Sequence, residues 1–284
     1  MPYRDRYWQA ADGLTLHARD YRAADGLARL PVICLHGLTR NGKDFEALAP
    51  WLAARLRRVL TVDVRGRGLS DWDPKADYRL PTYADDVARL LDSLGYARGV
   101  FVGTSMGGLI TMELAATRPD LVAAAVINDV GPVLAEAGLK RIASYVGQKP
   151  EVTSWADAEA YVRWQNGHAL PHYSDADWAA MARRLFRERD GRVALDYDPD
   201  ISKPFADAPL MIDPWDRWHA LVEGRPVLVL RGGESDLLAP DVAARMVEGH
   251  SDAALRLVPG VGHAPMLDEP AALAAIEEFL GRIP

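Results

Sequence analysis

Cysteine is almost absent from the chain: Cys34 stands alone among 284 residues. One thiol cannot form an intramolecular disulfide, and such sparing use fits a reducing compartment, with the cytoplasm as the expected location. Long apolar runs are missing as well. No stretch approaches the roughly 18 residues of a membrane span, and the opening MPYRDRYWQAADG has no apolar centre of the signal-peptide kind. Nor is there an excess of positive charge. The net charge of −7 argues against a broad nucleic-acid surface. The one noticeable basic cluster, Arg55 to Arg58, adjoins an apolar segment and reads as a solvated helix end. Internal repeats and low-complexity tracts are lacking too. What remains is a chain of ordinary charge content, 49% hydrophobic, long enough to bury a full-sized core in one or two domains. A monomer and a homodimer are both compatible with it, and neither membrane nor nucleic acid is expected as a partner.

Strand-like and helix-like segments alternate through the first half. LTLHARDY (14–21) alternates apolar and polar residues as a half-exposed strand does. LPVICLHG (30–37) and RRVLTVDVRG (57–66) carry continuous apolar runs ending in glycine, as parallel strands covered on both faces do. Between them KDFEALAPWLAARL has a helical pattern that Asp44 is placed to cap. A second helix is predicted over about Thr82 to Leu94, ending at Gly95. GVFVGTS then reads as strand, MGGLITMELAATR as helix stopped by Pro119, and LVAAAVINDV as strand. Near the C-terminus RPVLVLRG, APDVAARMVEGH, AALRLVPG and the last dozen residues repeat strand, helix, strand, helix. The implied fold class is α/β, a mostly parallel central sheet flanked by helices on both faces. Residues 132–215 break the rhythm with irregular helical patches and no convincing buried strand. Trp155, Trp164, Trp178 and Trp215 fall there. The segment is expected to form a helical cap (lid) over one sheet edge, inserted into a core of residues 1–131 and 216–284.

The glycines of FVGTSMGGLI (101–110) lack the Lys-Ser/Thr pair of a P-loop, and VDVRGRGLSD lacks the third glycine of a dinucleotide fingerprint. Gly103-Thr104-Ser105-Met106-Gly107 is instead G-x-S-x-G between a strand and a helix, the setting in which a serine is exposed on a tight turn. A serine that only caps the helix is the bland alternative. As a nucleophile Ser105 needs a base, because its hydroxyl is weakly reactive at neutral pH. Of seven histidines, His263 in VPGVGHAPMLDEP follows the last strand-like run, at the same carboxyl edge of the sheet. Two aspartates follow strands at that edge. Asp236, a short glycine-containing loop beyond its strand, is the expected partner for the far nitrogen of His263. Asp129 is the alternative, or a pocket residue. The oxyanion would be held by the backbone amides of Leu38 and Met106, with His36 bracing the first of these loops.

The chain resembles the α/β-hydrolase fold superfamily along nearly its whole length. LHGLTRNGKDFE resembles the family's oxyanion-loop segment, VDVRGRGLSD its fourth-strand segment and VGTSMGG its nucleophile elbow. GGESDLLAP and GVGHAPMLDEP resemble its acid and histidine loops. The resemblance implies the fold, the set Ser105, Asp236 and His263, and a cap where 132–215 stands. It does not select the reaction. The superfamily spans carboxylesterases, enol-lactonases, carbon–carbon bond hydrolases, cofactor-free haloperoxidases, epoxide hydrolases and dehalogenases. The last two use an aspartate nucleophile, against which Ser105 argues; some members are non-catalytic receptors.

The expected activity is therefore hydrolysis of a small, largely apolar ester or lactone through an acyl-enzyme. The alternatives are carbon–carbon bond hydrolysis of a dienoate-type product of aromatic breakdown, or ligand binding without turnover. No cofactor or metal is implied. His168 and His172 have the i, i+4 spacing of helical metal ligands, but Pro171 between them spoils the helix. Cys34 reads as a core thiol. Arg40 stands where it could hold a substrate carboxylate, or pair with a surface acid such as Asp44; Arg65 and Arg67 carry the same ambiguity. Trp155, Tyr161 and Trp164 are candidate pocket residues that core packing explains nearly as well.

Overall fold

In the computed structural model, which describes residues 3–23, 29–55, 57–189, 191–206 and 213–284, the continuous apolar runs become the buried middle of one sheet. The chain opens with β1 (Tyr3–Gln9), β2 (Thr15–Tyr21), β3 (Val32–Leu35), α1 (Leu48–Ala54) and β4 (Val59–Asp63). It continues with α2 (Leu80–Leu94), β5 (Gly99–Thr104), α3 (Met106–Thr117) and β6 (Val122–Asn128). An insertion follows: α4 (Glu136–Ala143), α5 (Trp155–Asn166), α6 (Asp175–Leu185), β7 (Phe186–Arg189), β8 (Arg192–Leu195) and α7 (Lys203–Ala206). The chain returns through α8 (Trp215–Val222), β9 (Val227–Gly232), α9 (Pro240–Val247), β10 (Ala253–Val258) and α10 (Pro270–Gly281).

The eight-stranded sheet has the order β1-β2-β4-β3-β5-β6-β9-β10. β2 pairs antiparallel with β1 and β4, and every other pair is parallel. Side chains of β3, β4 and β9 are buried throughout, as two covered faces require. α3 is buried along most of its length, with Ile110, Met112, Leu114 and Ala115 closed off from solvent. Because β3, β5, β6, β9 and β10 run parallel, the loops leaving their carboxyl ends gather at one edge, where open α/β sheets place ligands. α2 stops at Gly95, whose φ of 71° suits a left-handed helix cap.

Three local expectations are corrected. Asp44 caps no helix. Asn41 accepts from Lys43 N–H (3.0 Å) to start a short 3₁₀ turn, Gly42–Phe45, and α1 begins only at Leu48. Second, the insertion is not wholly helical: α6 stops at Leu185, and Phe186–Arg189 pairs antiparallel with Arg192–Leu195 as the β7–β8 hairpin. Third, the Arg55–Arg58 cluster is a solvated helix end only in part: Arg55 is the exposed C-cap of α1, but Arg57 turns inward. Arg57 is buried and donates to the carbonyls of Leu280 (2.9 Å) and Ile283 at the end of α10, where carbonyls run short of helical partners.

His17, fully buried on β2, joins three strands. Its Nδ1 lies 2.8 Å from Asp63 Oδ2 and its Nε2 2.9 Å from Asp5 Oδ1. Carboxylates only accept, so both ring nitrogens carry protons. Burial alone would lower its pKa, but the hydrogen bonds and charges of Asp63 and Asp5 outweigh it and hold His17 above its ordinary 6.5. Asp63 is likewise held below its ordinary 3.8: burial would raise it, and His17 and the Leu69 and Gly42 amides prevail. The His17 contribution to stability is thus fully present below pH 6.5 and is lost as pH rises through its raised folded value. That of Asp63 is present above 3.8 and lost as pH falls. The Tm difference between wild type and His17→Gln is expected to be a few degrees at pH 5–6 and to shrink on going to pH 9. A constant difference in thermal melts would contradict this.

Candidate active site

Between β5 and α3 stands a single residue, Ser105, with φ 51° and ψ −116°. For a non-glycine residue this conformation costs of order 1–3 kcal/mol. Its neighbours hold it there. Ser105 N–H donates to the Asn128 carbonyl (3.0 Å), and the Ser105 carbonyl accepts from Gly108 N–H (2.8 Å). The glycines allow the close approach: a Cβ on Gly103 would lie 2.5 Å from the Gly107 carbonyl carbon.

Ser105 Oγ is 3.0 Å from His263 Nε2, and His263 Nδ1 is 2.8 Å from Asp129 Oδ2. Since the carboxylate can only accept, Nδ1 carries the proton and Nε2 accepts from the serine hydroxyl. Asp129 follows β6 in a left-handed conformation (φ 55°) and is fully buried. Its Oδ1 accepts from Gly232 N–H (2.8 Å), and its Oδ2 also accepts from the Ser235 hydroxyl (2.7 Å). Asn128 Nδ2 donates to the Pro265 carbonyl (2.8 Å), which ties the His263 loop to β6.

The expectation that Asp236 reaches His263 is corrected by this geometry. Asp236 instead takes a bidentate ion pair from Arg141 on α4, with Nε–Oδ2 2.6 Å and Nη2–Oδ1 2.8 Å. The Arg141 hydrogen bonds hold its carboxyl below the ordinary range. The reason lies in the loop after β9. Gly232 and Ser235 turn their donors inward onto Asp129, and Ser235 Oγ accepts from Leu238 N–H (3.1 Å). Asp236 is thereby carried outward to α4.

Around the expected oxyanion amides, His36 is fully buried: Nδ1 donates to the Gly37 carbonyl (2.7 Å) and Nε2 accepts from Val64 N–H (3.1 Å). Burial pushes its pKa down to about 4, so a neutral imidazole braces the loop after β3. Arg67, also buried, donates through Nε to the Leu38 carbonyl (3.0 Å), while Nη2 meets Met106 Sδ at 3.6 Å. One guanidinium thus touches both Leu38 and Met106. Met106 opens α3, where first-turn amides lack helical partners. Arg65 faces away, paired with Asp86 (2.6 and 2.7 Å) and Asp73 (3.0 Å). Cys34 is buried in β3, and burial pushes its thiol up.

Ser105 and His263 line a pocket with Leu38, Arg40, Arg141, Tyr145, Gln165 and Leu170. Of the candidate pocket residues, Arg40 lines it, and Asp129 stands behind His263. Trp155, Tyr161 and Trp164 do not line it. Trp155 lies under the Arg183 guanidinium (3.6 Å), Tyr161 meets Phe186 edge-on, and Trp164 is 66% exposed. Arg141, Tyr145 and Gln165 carried no signal in the sequence, because the irregular periodicity of the insertion does not say which of its faces turns toward Ser105. α5 ends at Asn166, so His168 and His172 share no helix face.

Comparison with known proteins gives this arrangement its context. The family model for the alpha/beta hydrolase fold matches residues 31–270. A 3-hydroxybutyrate-oligomer hydrolase of Cupriavidus necator is 35% identical over 259 residues, covering 87% of each chain. An sn-1-specific diacylglycerol lipase of Mus musculus is 31% identical, over 92% of this chain and 84% of its own. The crystal structure of an alpha/beta hydrolase from Novosphingobium aromaticivorans superposes with a TM-score of 0.92 at 43% identity, covering 99% of both chains. With sheet order, elbow and sequence in agreement, the chain belongs to the α/β hydrolase fold family and is a hydrolase.

Proposed function

We propose that the enzyme cleaves small carboxylic esters or lactones through an acyl-enzyme, with Ser105 as nucleophile, His263 as base and Asp129 as the acid behind it. The observation that carries this reading is the unbroken relay from Ser105 Oγ to His263 Nε2 (3.0 Å) and from Nδ1 to Asp129 Oδ2 (2.8 Å). Ser105 Oγ attacks the carbonyl carbon while His263 Nε2 takes its proton. Asp129 keeps the imidazole in the required tautomer and stabilises its charged form. The amides of Leu38 and Met106 hold the tetrahedral oxyanion; one such donor is worth about 10²–10³ in rate. As the intermediate collapses, His263 returns the proton to the leaving alcohol, and water repeats the sequence to free the acid. Residues 132–215 serve as the cap, supplying Arg141, Tyr145, Gln165 and Leu170 above the serine. The named substrate of the Cupriavidus relative, a hydroxyacid oligoester, is of the class this chemistry cleaves.

An organophosphonate ester tests the nucleophile, because it phosphonylates only an activated serine. Mass spectrometry is expected to find one adduct per chain, on Ser105, and none in Ser105→Ala. An adduct elsewhere, or none in wild type, would remove the assignment. A screen over p-nitrophenyl esters of rising chain length, lactones and dienoates then separates the reactions. Turnover of dienoates with inert esters would replace ester cleavage by carbon–carbon bond hydrolysis.

A further inference from the structure

We propose that the pocket takes esters bearing a free carboxylate, and that Arg40 binds it; this rests on the ester-hydrolase reading above. Arg40 and Ser105 flank the same glycine. The point at which Gly37 would carry a Cβ lies 3.4 Å from Arg40 Cγ and 3.8 Å from Ser105 Cβ. The Arg40 side chain is only 13% exposed. Asp44, its side chain 10% exposed, accepts from Nε at 2.6 Å and fixes the orientation of the guanidinium. Among the described residues, the hydrogen-bond partners of Nη1 and Nη2 are two thioethers, Met181 Sδ at 3.9 Å in the core and Met266 Sδ at 3.3 Å in the pocket wall.

A thioether is a weak acceptor, whereas the guanidinium fork matches a carboxylate with two parallel hydrogen bonds. Methionine side chains are flexible, so an incoming carboxylate displaces a poor partner and gains a good one. Enclosure strengthens that charge interaction relative to open water. Arg141 is the other cation in the pocket wall, but Asp236 already takes both its Nε and Nη2. Asp44 is the one carboxylate among the lining residues; it bonds Arg40 through Nε, and among the described residues Nη1 and Nη2 bond no carboxylate.

A short hydroxyacid oligoester is the simplest substrate with these features, since its scissile carbonyl lies a few bonds from the terminal carboxylate. In its cleavage the Ser105 Oγ–carbon bond forms and the ester carbon–oxygen bond breaks. The released alkoxide takes the proton held by His263 and departs as a hydroxy acid, its carboxylate ionised throughout. Water then splits the acyl-serine into free enzyme and a second acid.

The test compares the linear dimer of 3-hydroxybutyrate with the same dimer whose terminal carboxylate is capped as the primary amide. Wild type is expected to favour the free acid by about 10–100-fold in kcat/KM, chiefly through KM. Arg40→Met is expected to bring the ratio to near one, and Arg40→Lys to restore part of it. Free 3-hydroxybutyrate is expected to inhibit wild type competitively where its amide does not, a readout that stands even if Arg40→Met fails to fold. A wild-type ratio near one, or a ratio lost in Arg141→Met and kept in Arg40→Met, overturns the proposal. Cleavage of p-nitrophenyl acetate without cleavage of either dimer also overturns it and leaves the ester-hydrolase reading standing. Absence of all ester turnover together with an unlabelled Ser105 removes the reading beneath it.

Discussion

Asp129→Asn is expected to lower kcat/KM for any accepted ester by about 10⁴-fold. Three donors converge on the Asp129 carboxylate: Gly232 N–H, the Ser235 hydroxyl and His263 Nδ1–H. An asparagine offers one acceptor oxygen and one NH₂, so a donor is left facing a donor. The relief open to the site is a change of tautomer, in which His263 Nδ1 accepts and Nε2 carries the proton. Nε2 then points a hydrogen at Ser105 and can no longer take one from it. Asp236→Asn removes only a half-exposed ion pair with Arg141, and pairs of that kind are worth at most ~1 kcal/mol, about fivefold. Initial rates on one ester, with Tm recorded for each variant, decide the ranking. A larger loss in Asp236→Asn would return the acid's role to Asp236.

Gly107→Ala is expected to cost the fold about 4 kcal/mol or more, a large share of the 5–15 kcal/mol by which domains are stable. The added Cβ would sit 2.0 Å from the Leu35 carbonyl oxygen and 2.5 Å from its carbon. Those atoms belong to β3 in the middle of the sheet and cannot yield as a side chain does. α3 would have to lift off β3, opening the packing of Ile110 and Leu114 and moving Ser105 away from His263. A drop of about 10 °C in Tm, or expression only as insoluble protein, is the expected result. Gly249→Ala is the control for backbone strain without a clash: unlike the helical Gly107 it has a positive φ, 76°, and its Cβ would meet nothing within 4 Å, so only the backbone penalty of about 1 kcal/mol applies. Equal Tm values for the two variants would mean that α3 can shift from β3 at little cost.

Local pattern by itself determined much of this protein. Apolar runs ending in glycine marked β3 and β4, because a strand covered on both faces must be apolar along its whole length. G-x-S-x-G between strand and helix marked Ser105 for the same local reason: a residue held between β5 and α3 needs small neighbours, and chain order carried His263 to the same edge. Tertiary structure alone decided the partner of His263. Asp129 and Asp236 both follow strands at that edge, and the short glycine-containing loop that favoured Asp236 does not decide which carboxylate meets His263. The choice depends on donors brought from far along the chain: Ser235 reaches Asp129 across 106 positions and Arg141 reaches Asp236 across 95. Arg67 and the tryptophans of the insertion follow the same rule. A buried guanidinium on Leu38 and an exposed ring at Trp164 look alike in one dimension, because burial is a property of what folds over a residue and not of the residue itself.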